Sequence, residues 1–234
     1  MDYLSFQTIL KAIGIVLSDE QISAFKRYFL LLQEWNEKMN LTAIKLEEEM
    51  IEKHFYDSLL LAKVIELNGQ TLLDVGSGAG FPGIPLKIAF PQLNITLLEP
   101  TNKRANFLRL VIDELHLSKI EVIADRAENL VIKKREKYDI VTARAVASLN
   151  ILAELCLPLV KVHGHFIAMK GAKALEELKE AEKALKILNG VVKHIDAQVL
   201  TTAEDKRFNI LVEKTGKTDP KYPRSYAQIK HRPL

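Results

Sequence analysis

The sequence has very little cysteine, since Cys156 is the only one among 234 residues. A single thiol can form neither an internal disulfide nor a cysteine-based zinc site. Its neighbours Leu155 and Leu157 are apolar, which predicts an inert, buried side chain. His163 and His165 stand close together without further ligand candidates, so we expect no metal site. These features are typical of a protein from a reducing compartment, and we expect the cytoplasm.

Long hydrophobic runs are also absent. No apolar segment approaches the roughly 20 residues that a membrane-spanning helix needs. Residues 1–4 lack the basic start and apolar core of a signal peptide. Hydrophobic residues make up 48% of the chain and charged residues 27%, as in ordinary globular proteins. We therefore expect a globular protein that makes no contact with membranes.

The chain lacks a large net charge, but its charged residues are unevenly distributed along the sequence. The net charge is +3, whereas residues 214–234 contain six basic residues against one acidic residue. This imbalance predicts a phosphate-binding tail, and its prolines and lack of hydrophobic periodicity predict an irregular one. The residues that we expect to contact phosphate are Lys221, Arg224, Lys230 and Arg232 in the tail, and Lys103 and Arg104 on a predicted helix.

The apolar pattern predicts helices first, and then strands that alternate with helices. Ser18 and Gln21 form a capping box at the start of the second helix, and a further helix fits residues 47–66. The alternation after residue 71 predicts an α/β fold with a mostly parallel sheet and an antiparallel edge strand. The predicted strands are 72–75, 95–98, 120–123, 138–142, 165–169, 191–200 and 207–213, and the helices between them are 84–90, 102–116, 149–161 and 173–189.

Three regions follow from this pattern. Residues 1–66 form an N-terminal helical extension packed on the core, residues 67–214 form the α/β core, and residues 215–234 form the basic tail. The core is large enough to fold without disulfides or metals, because a chain of this length buries roughly 70% or more of its unfolded surface.

The most informative motif is a glycine-rich loop over residues 74–83, with the sequence DVGSGAGFPG. It lies where the first strand ends and a helix begins, and ligands of such sheets bind at the carboxyl ends of the strands. Glu99 ends the next strand, 23 residues after Gly76, where an acid can accept hydrogen bonds from ribose hydroxyls. The combination predicts an adenosine-containing ligand.

The position of the acids favours S-adenosylmethionine within this ligand class. Gly78, Gly80 and Gly83 also fit the G-x-G-x-x-G pattern of dinucleotide-binding proteins. Asp74, however, stands two residues before the first glycine, and with Glu99 it would attract a sulfonium cation and repel a pyrophosphate. The motif therefore resembles that of Rossmann-like methyltransferases. A nucleotide-linked oxidoreductase remains an alternative.

Further motifs extend over nearly the whole chain and give a more specific resemblance. They are WNEKMNLT at 35–42, HFYDSL at 54–59, GAGFPGIP at 78–85, NKR at 102–104, RAE at 126–128 and TARA at 142–145. Together they resemble the glucose-inhibited division protein B family of ribosomal RNA small subunit methyltransferases. The tail matches the family at 221–224, but residues 225–229 replace its usual Gly-Thr-Pro segment.

The resemblance implies a bacterial, cytoplasmic and monomeric enzyme. Members of this family use S-adenosylmethionine to methylate N7 of one guanine in the decoding-region loop of 16S rRNA, so 16S rRNA or the 30S subunit is the expected partner. Carried over by resemblance, the methyl-donor contacts are Gly76, Phe81, Ala127, Glu128 and Arg144, to which the motif and ribose arguments add Asp74, Gly78 and Glu99.

Guanine N7 carries a lone pair and no proton, so its methylation needs no general base. We expect the enzyme to align the nitrogen, the methyl carbon and the sulfur in line. Arg144 ends the fourth predicted strand and would position donor or RNA groups, including guanine O6, or else form a structural ion pair with a carboxylate. A small-molecule methyltransferase and a non-catalytic, nucleotide-sensing RNA-binding module remain alternatives.

Overall fold

The computed structural model describes residues 1–200 and 205–234. Helices α1 (Tyr3–Ala12) and α2 (Asp19–Met39) open the chain, and the predicted capping box of Ser18 and Gln21 is confirmed at the start of α2. The single helix predicted over 47–66 is wrong in detail, because this segment is divided among four helical forms. They are α3 (Glu47–Met50), a π-helix (Ile51–Tyr56), α4 (Asp57–Leu59) and a 3₁₀ helix (Leu60–Lys63).

The strands form one sheet in the order β3-β2-β1-β4-β5-β7-β6. The first five strands are parallel to one another, whereas β7 is antiparallel to both of its neighbours. The antiparallel strand therefore lies one position in from the edge, because the β6–β7 hairpin inserts its second strand next to β5. The strands are β1 (Thr71–Val75), β2 (Asn94–Leu98), β3 (Ile120–Ile123), β4 (Tyr138–Arg144), β5 (Val160–Lys170), β6 (Gly190–Val199) and β7 (Lys206–Lys214).

Helices cover both faces of this sheet, as alternating strands and helices require. The helices that follow the strands are α5 (Gly83–Ala89), α6 (Asn102–Glu114), α7 (Ala127–Lys134), α8 (Leu149–Cys156) and α9 (Ala174–Ile187). Successive residues of one strand, such as Leu72 and Leu73, enter different apolar layers. One layer joins the N-terminal helices to α5 and α6, and the other joins α7, α8 and α9.

Two helices differ from the sequence expectation. The helix predicted over 149–161 ends at Cys156, because a 3₁₀ turn containing Pro158 follows and β5 already begins at Val160. Helix α7 was not predicted, and its last two residues are Lys133 and Lys134.

The prediction of an irregular tail is wrong for residues 226–231. Helix α10 (Tyr226–His231) forms near the C-terminus, with a capping box made by Ser225 and Gln228. Its residue Ile229 is completely buried in the apolar layer of α7, α8 and α9. Tail packing therefore supplies the burial that so short a helix needs to be stable. Within the described residues, the helices are all too short or too polar to cross a membrane.

Candidate active site

The glycine loop leaves the carboxyl end of β1 in a conformation that favours glycine. Gly76 has φ +73°, and a Cβ built there would lie 2.6 Å from a Val146 methyl carbon. A side chain at this position would thus both strain the backbone and collide with the loop after β4. The backbone N–H of Gly76 donates to the carbonyl of Leu98 over 2.8 Å, which ties the loop to the end of β2.

Asp74 lies beneath this loop and is completely buried. Its Oδ2 accepts a hydrogen bond of 3.1 Å from the N–H of Gly83 at the start of α5. Its Oδ1 is buried without a hydrogen-bond partner, and burial raises the pKa of this carboxyl to about 6. Negative charge under the loop favours a cationic ligand over an anionic one.

Glu99 joins the end of β2 to the loop from the other side. Its Oε2 accepts from the N–H of Gly78 at 3.0 Å, and its Oε1 accepts from the N–H of Thr101 at 2.9 Å. Ala127 and Glu128 begin α7 directly after β3. The loop, Glu99 and the start of α7 therefore meet at the carboxyl ends of adjacent strands, where doubly wound sheets bind nucleosides. This arrangement, with two carboxylates at the loop, fits an adenosyl sulfonium.

Arg144, the last residue of β4, connects this loop to the N-terminal extension. Its Nη1 donates to Asp57 Oδ2 at 2.9 Å and to the carbonyl of Lys53 at 3.3 Å, and its Nη2 lies 2.9 Å from His54 Nδ1. The guanidinium also stacks 4.9 Å from the ring centroid of Phe81 in the glycine loop. The ion pair that the sequence left as an alternative role is therefore present.

His54 is held in one protonation state by these contacts. Burial and the nearby Arg144 charge lower the pKa of His54 to about 3, so its ring is neutral at pH 7. Because Arg144 can only donate, His54 Nδ1 must accept, and the ring proton is on Nε2, 3.1 Å from Thr42 Oγ1. The ring also stacks on Phe81 with a centroid separation of 4.4 Å. Neither ring nitrogen is free to act as a base.

An open cavity of about 660 Å³ adjoins Arg144, and we call it the acceptor cavity. It lies at the ends of β4 and β5 and the start of β7, beside Val146, which contacts the glycine loop. Its ionisable lining residues are Lys53, His54, Asp57, Arg144, Lys170, Glu177, Asp205 and Arg207. A concave, charged site next to a donor loop is suited to a polar substrate.

Sequence reasoning missed Asp57 and Arg207, which both line this cavity. Asp57 had a usable signal, since an acid inside the apolar helical stretch HFYDSL needs a buried partner. Arg207 had none, because the chain separates it from Asp57 by 150 residues. His54, which begins the same motif, packs on Phe81 and also binds Arg144.

Some of the residues predicted to bind RNA form ion pairs within the protein. Lys103 and Arg104 lie in the first turn of α6, near the end of β2, and Lys230 and Arg232 are exposed at α10. Lys221, in contrast, pairs with Asp219 at 3.1 Å. Arg224 donates through Nε and Nη2 to Glu154, whose side chain is completely buried. The sequence alone had no sign of these pairs.

The remaining chemistry-bearing residues are inert in this arrangement. Cys156 is completely buried, and burial raises the pKa of its thiol far above neutral. Among residues 1–200 and 205–234, no cluster of three or more His, Cys, Asp or Glu side chains could hold a metal ion. His163 lies 3.7 Å from Glu213 on the surface.

The fold and the loop define an S-adenosylmethionine-dependent methyltransferase with a Rossmann-like sheet. A solved structure with this fold is M. jannaschii TYW2 in complex with AdoMet, which aligns with a TM-score of 0.56 at 15% identity over 74% of this chain and 79% of that chain. P. horikoshii TYW2 in complex with MeSAdo aligns with a TM-score of 0.57 at 11% identity, over 70% of this chain and 63% of that chain.

The sequence comparisons are more specific. The model of the rRNA small subunit methyltransferase G (GidB) family matches residues 21–206. The ribosomal RNA small subunit methyltransferase G of Bacillus cereus (strain B4264) is 50% identical over 227 residues, 96% of this chain and 95% of the relative. The chain therefore belongs to the rRNA small subunit methyltransferase G family. The predicted family, fold class and methyl donor are confirmed.

Proposed function

We propose that this protein transfers a methyl group from S-adenosylmethionine to N7 of a guanine in the decoding-region loop of 16S rRNA. It acts as a monomer in the cytoplasm, on 16S rRNA or on the 30S subunit. The observation that carries the proposal is the charged acceptor cavity beside the glycine loop, with Arg144 between them. The family to which the chain belongs supports rRNA as the substrate.

The donor side is formed by the residues around the glycine loop. When bound there, S-adenosylmethionine supplies an electrophilic methyl group on a sulfonium sulfur. Glu99 holds the end of β2 against the loop and offers carboxylate oxygens to ribose hydroxyls, and Asp74 fixes the start of α5. The proposed donor-binding residues are Asp74, Gly76, Gly78, Phe81, Glu99, Ala127, Glu128 and Arg144.

The acceptor side offers guanidinium donors to a base with acceptor atoms. Guanine presents O6 next to N7 as a second acceptor, which an arginine N–H can bind while the N7 lone pair stays free to react. Arg144 is 13% exposed at the cavity wall, so it can contact O6 while its ion pair to Asp57 keeps its direction fixed. A base must leave its stack to reach this cavity, which favours an RNA loop over a regular duplex.

N7 methylation needs no general base, and neither His54 nor Asp57 at the cavity wall is free to act as one. Both nitrogens of His54 are engaged, and Asp57 is paired with Arg144. The protein's contribution is then to hold N7 in line with the methyl carbon and sulfur. Such orientation accounts for as much as ~7–11 kcal/mol of barrier lowering in favourable cases.

Phosphate contacts outside the cavity complete the proposal. Lys103 and Arg104 lie near the donor end of the sheet, and Lys230 and Arg232 are exposed on and after α10. Lys221 belongs to the same proposed RNA surface although it pairs with Asp219, whereas Arg224, which the sequence also predicted to bind RNA, pairs with the buried Glu154 and is assigned to docking the tail. Exposed basic side chains of this kind bind phosphate without reading sequence.

The test is methylation of 16S rRNA and of 30S subunits from a strain that lacks this activity, followed by mapping of the modified nucleotide. The expected product is a single 7-methylguanine in the decoding-region loop, which is detected by its sensitivity to borohydride and aniline. Methylation at an exocyclic amine, a ribose hydroxyl or C5, or of small molecules alone, would contradict the proposal. Light scattering tests the oligomeric state, and the expected result is the monomer mass of 26.5 kDa.

A further inference from the structure

The carboxylate of Asp57 meets two different arginines. Its Oδ2 accepts from Arg144 at 2.9 Å, and its Oδ1 lies 3.4 Å from Arg207 Nε. The three residues come from three parts of the fold, since Asp57 begins α4, Arg144 ends β4 and Arg207 is the second residue of β7. The parallel strand β5 separates β4 from β7 in the sheet. The contact therefore spans the wall of the acceptor cavity.

We propose that Asp57 is a positioning residue for methyl transfer, which holds Arg144 and Arg207 as a fixed pair of guanidinium groups facing the target nucleotide. This inference rests on the proposed function, because it takes an RNA nucleotide as the occupant of the cavity. Arg207 is then a substrate-binding residue that donates to an oxygen of that nucleotide, either guanine O6 or a neighbouring phosphate.

The exposure of the three side chains separates their roles. Asp57 is 6% exposed and Arg144 is 13% exposed, whereas Arg207 is 25% exposed to the cavity. Arg144 is further held by the carbonyl of Lys53 and by His54. Asp57 is thus the buried member that fixes the pair, and Arg207 is the member with open surface.

Stability gives a poor explanation for three charges at this wall. Replacing a buried ion pair by apolar residues of similar volume is often neutral or stabilising, because removing charges from water is costly. The charges lie next to the donor loop, where the guanidinium of Arg144 stacks on Phe81. A fixed direction of the guanidinium donors serves a reaction that depends on alignment.

Arginine side chains lose much rotamer freedom when they bind a ligand, and a fixed partner removes part of that loss in advance. Arg207 has two other contacts, from Nη2 to Asp205 at 3.3 Å and from Nη1 to the carbonyl of Lys206 at 3.2 Å. Both partners are its near neighbours in the chain and move with it. Asp57 is the contact that ties Arg207 to the far side of the cavity.

The test is a double-mutant cycle with Asp57→Asn, Arg207→Gln and the double variant. The asparagine keeps the shape of Asp57 and removes its charge. We expect each single change to lower kcat/KM for tritium transfer into rRNA by about 10- to 100-fold, as misplaced reacting groups do. We expect the kcat/KM of the double variant to be no lower than that of the less active single variant, because the two residues act as one unit. The affinity for S-adenosylhomocysteine, measured by calorimetry, is expected to stay unchanged.

Arg207→Gln also distinguishes the two oxygen partners. A smaller dependence of RNA affinity on salt, by about one unit of log–log slope, indicates a phosphate. An unchanged slope with a raised KM indicates guanine O6. An unchanged KM and kcat in this variant would overturn the proposal, and this test does not depend on the folding of the Asp57 variant.

Asp139→Asn is the matched control. Asp139 pairs with Lys161 at 2.6 Å and binds Thr71 at the opposite end of β4, so its loss affects stability away from the cavity. If the reductions in kcat/KM of the two single variants multiply in the double variant, Asp57 has only a structural role. A normal kcat/KM per folded molecule of the Asp57→Asn variant would lead to the same conclusion. The tritium assay detects methyl transfer to any base of the RNA. A product other than 7-methylguanine would therefore contradict the proposed function without contradicting the role of Asp57.

Discussion

The two ends of the chain pack on opposite faces of the sheet and relate to the site in different ways. The N-terminal extension delivers Lys53, His54 and Asp57 to the acceptor cavity. The C-terminal tail carries most of the excess positive charge, yet Lys221 and Arg224 are paired with carboxylates. The extension, in which acidic residues outnumber basic ones, thus supplies part of the cavity wall, while Arg224 of the basic tail is used in docking the tail on Glu154.

This difference shows that charge counted along a sequence is not charge available to a partner. Lys214, the last residue of β7 just before the tail, is completely buried and donates to Glu136 at 2.8 Å and to two carbonyls. Its charge cannot reach an RNA phosphate without unfolding this contact. The net charge that the tail offers to RNA is therefore carried mainly by its exposed residues, which include Lys230 and Arg232.

The largest expected effect tests the extension side of the comparison. Arg144→Ala should lower kcat/KM by at least about 10²-fold, because it removes the link between the extension, Phe81 and the acceptor cavity. Unlike Asp57→Asn, it should also weaken the binding of S-adenosylhomocysteine, since Phe81 in the glycine loop keeps its stacking with His54 but loses its stacking with Arg144. Steady-state kinetics and calorimetry measure both effects. Near-normal turnover would show that the extension does not act at the site.

The next effect tests the tail. Arg224→Ala should lower the free energy of unfolding by about 3 kcal/mol, because it leaves the buried carboxylate of Glu154 without its cation. RNA affinity should keep its salt dependence, since this charge is already neutralised. Urea unfolding and binding at several salt concentrations measure the two properties.

Arg27→Ala is the control for that variant. Arg27 pairs with Glu114 on the surface, with side-chain exposures of 46% and 43%, so its loss should cost less than about 1 kcal/mol. A flatter salt dependence for Arg224→Ala without any loss of stability would mean that the tail binds RNA through Arg224 rather than docking through it.

A smaller effect concerns His54 and the pH dependence of stability. An unfolded His54 binds a proton below about pH 6.5, whereas the folded group stays neutral down to a pKa of about 3. The unfolded state therefore binds more protons in this window, and stability falls as the pH falls from 6.5 towards 3. His54→Asn should reduce the slope of unfolding free energy against pH by up to about 1.4 kcal/mol per pH unit.

Urea unfolding of both proteins at pH 7, 6 and 5 measures that slope. The raised pKa of Asp74, about 6, acts in the opposite direction, because the folded carboxyl keeps its proton to a higher pH. This contribution is common to wild type and variant and cancels in their difference. Parallel curves for the two proteins would show that His54 is protonated in the folded state.

Local patterns predicted the sheet and the donor side of the site. Apolar runs ending in glycine or an acid mark the strands, so Asp74, Gly76 and Glu99 were expected at the carboxyl ends, where they are found. The tail helix has a signal in the capping box of Ser225 and Gln228, but the prolines around it are typical of irregular structure.

The contacts of the acceptor cavity could not be predicted from the sequence, because they are made between distant parts of the chain. Arg207 reaches Asp57 only because β7 inserts between β5 and β6, and nothing local to either residue encodes this insertion. Arg224 and Glu154 are similarly separated by 70 residues. Sequence periodicity predicts which face a residue occupies, but it does not predict which distant charge neutralises it.

The smallest expected effect compares two exposed lysines of the tail. Lys230→Gln should flatten the log–log salt dependence of rRNA affinity by about 0.7 to 0.9, the amount for one phosphate contact. Lys221→Gln should change it less, because Lys221 already pairs with Asp219 at 3.1 Å and must leave that partner to bind phosphate. Filter binding across a salt series measures both slopes. Equal effects would mean that the Asp219 pair opens freely on RNA, and that pairing in the free protein is a poor guide to the charge that the tail offers.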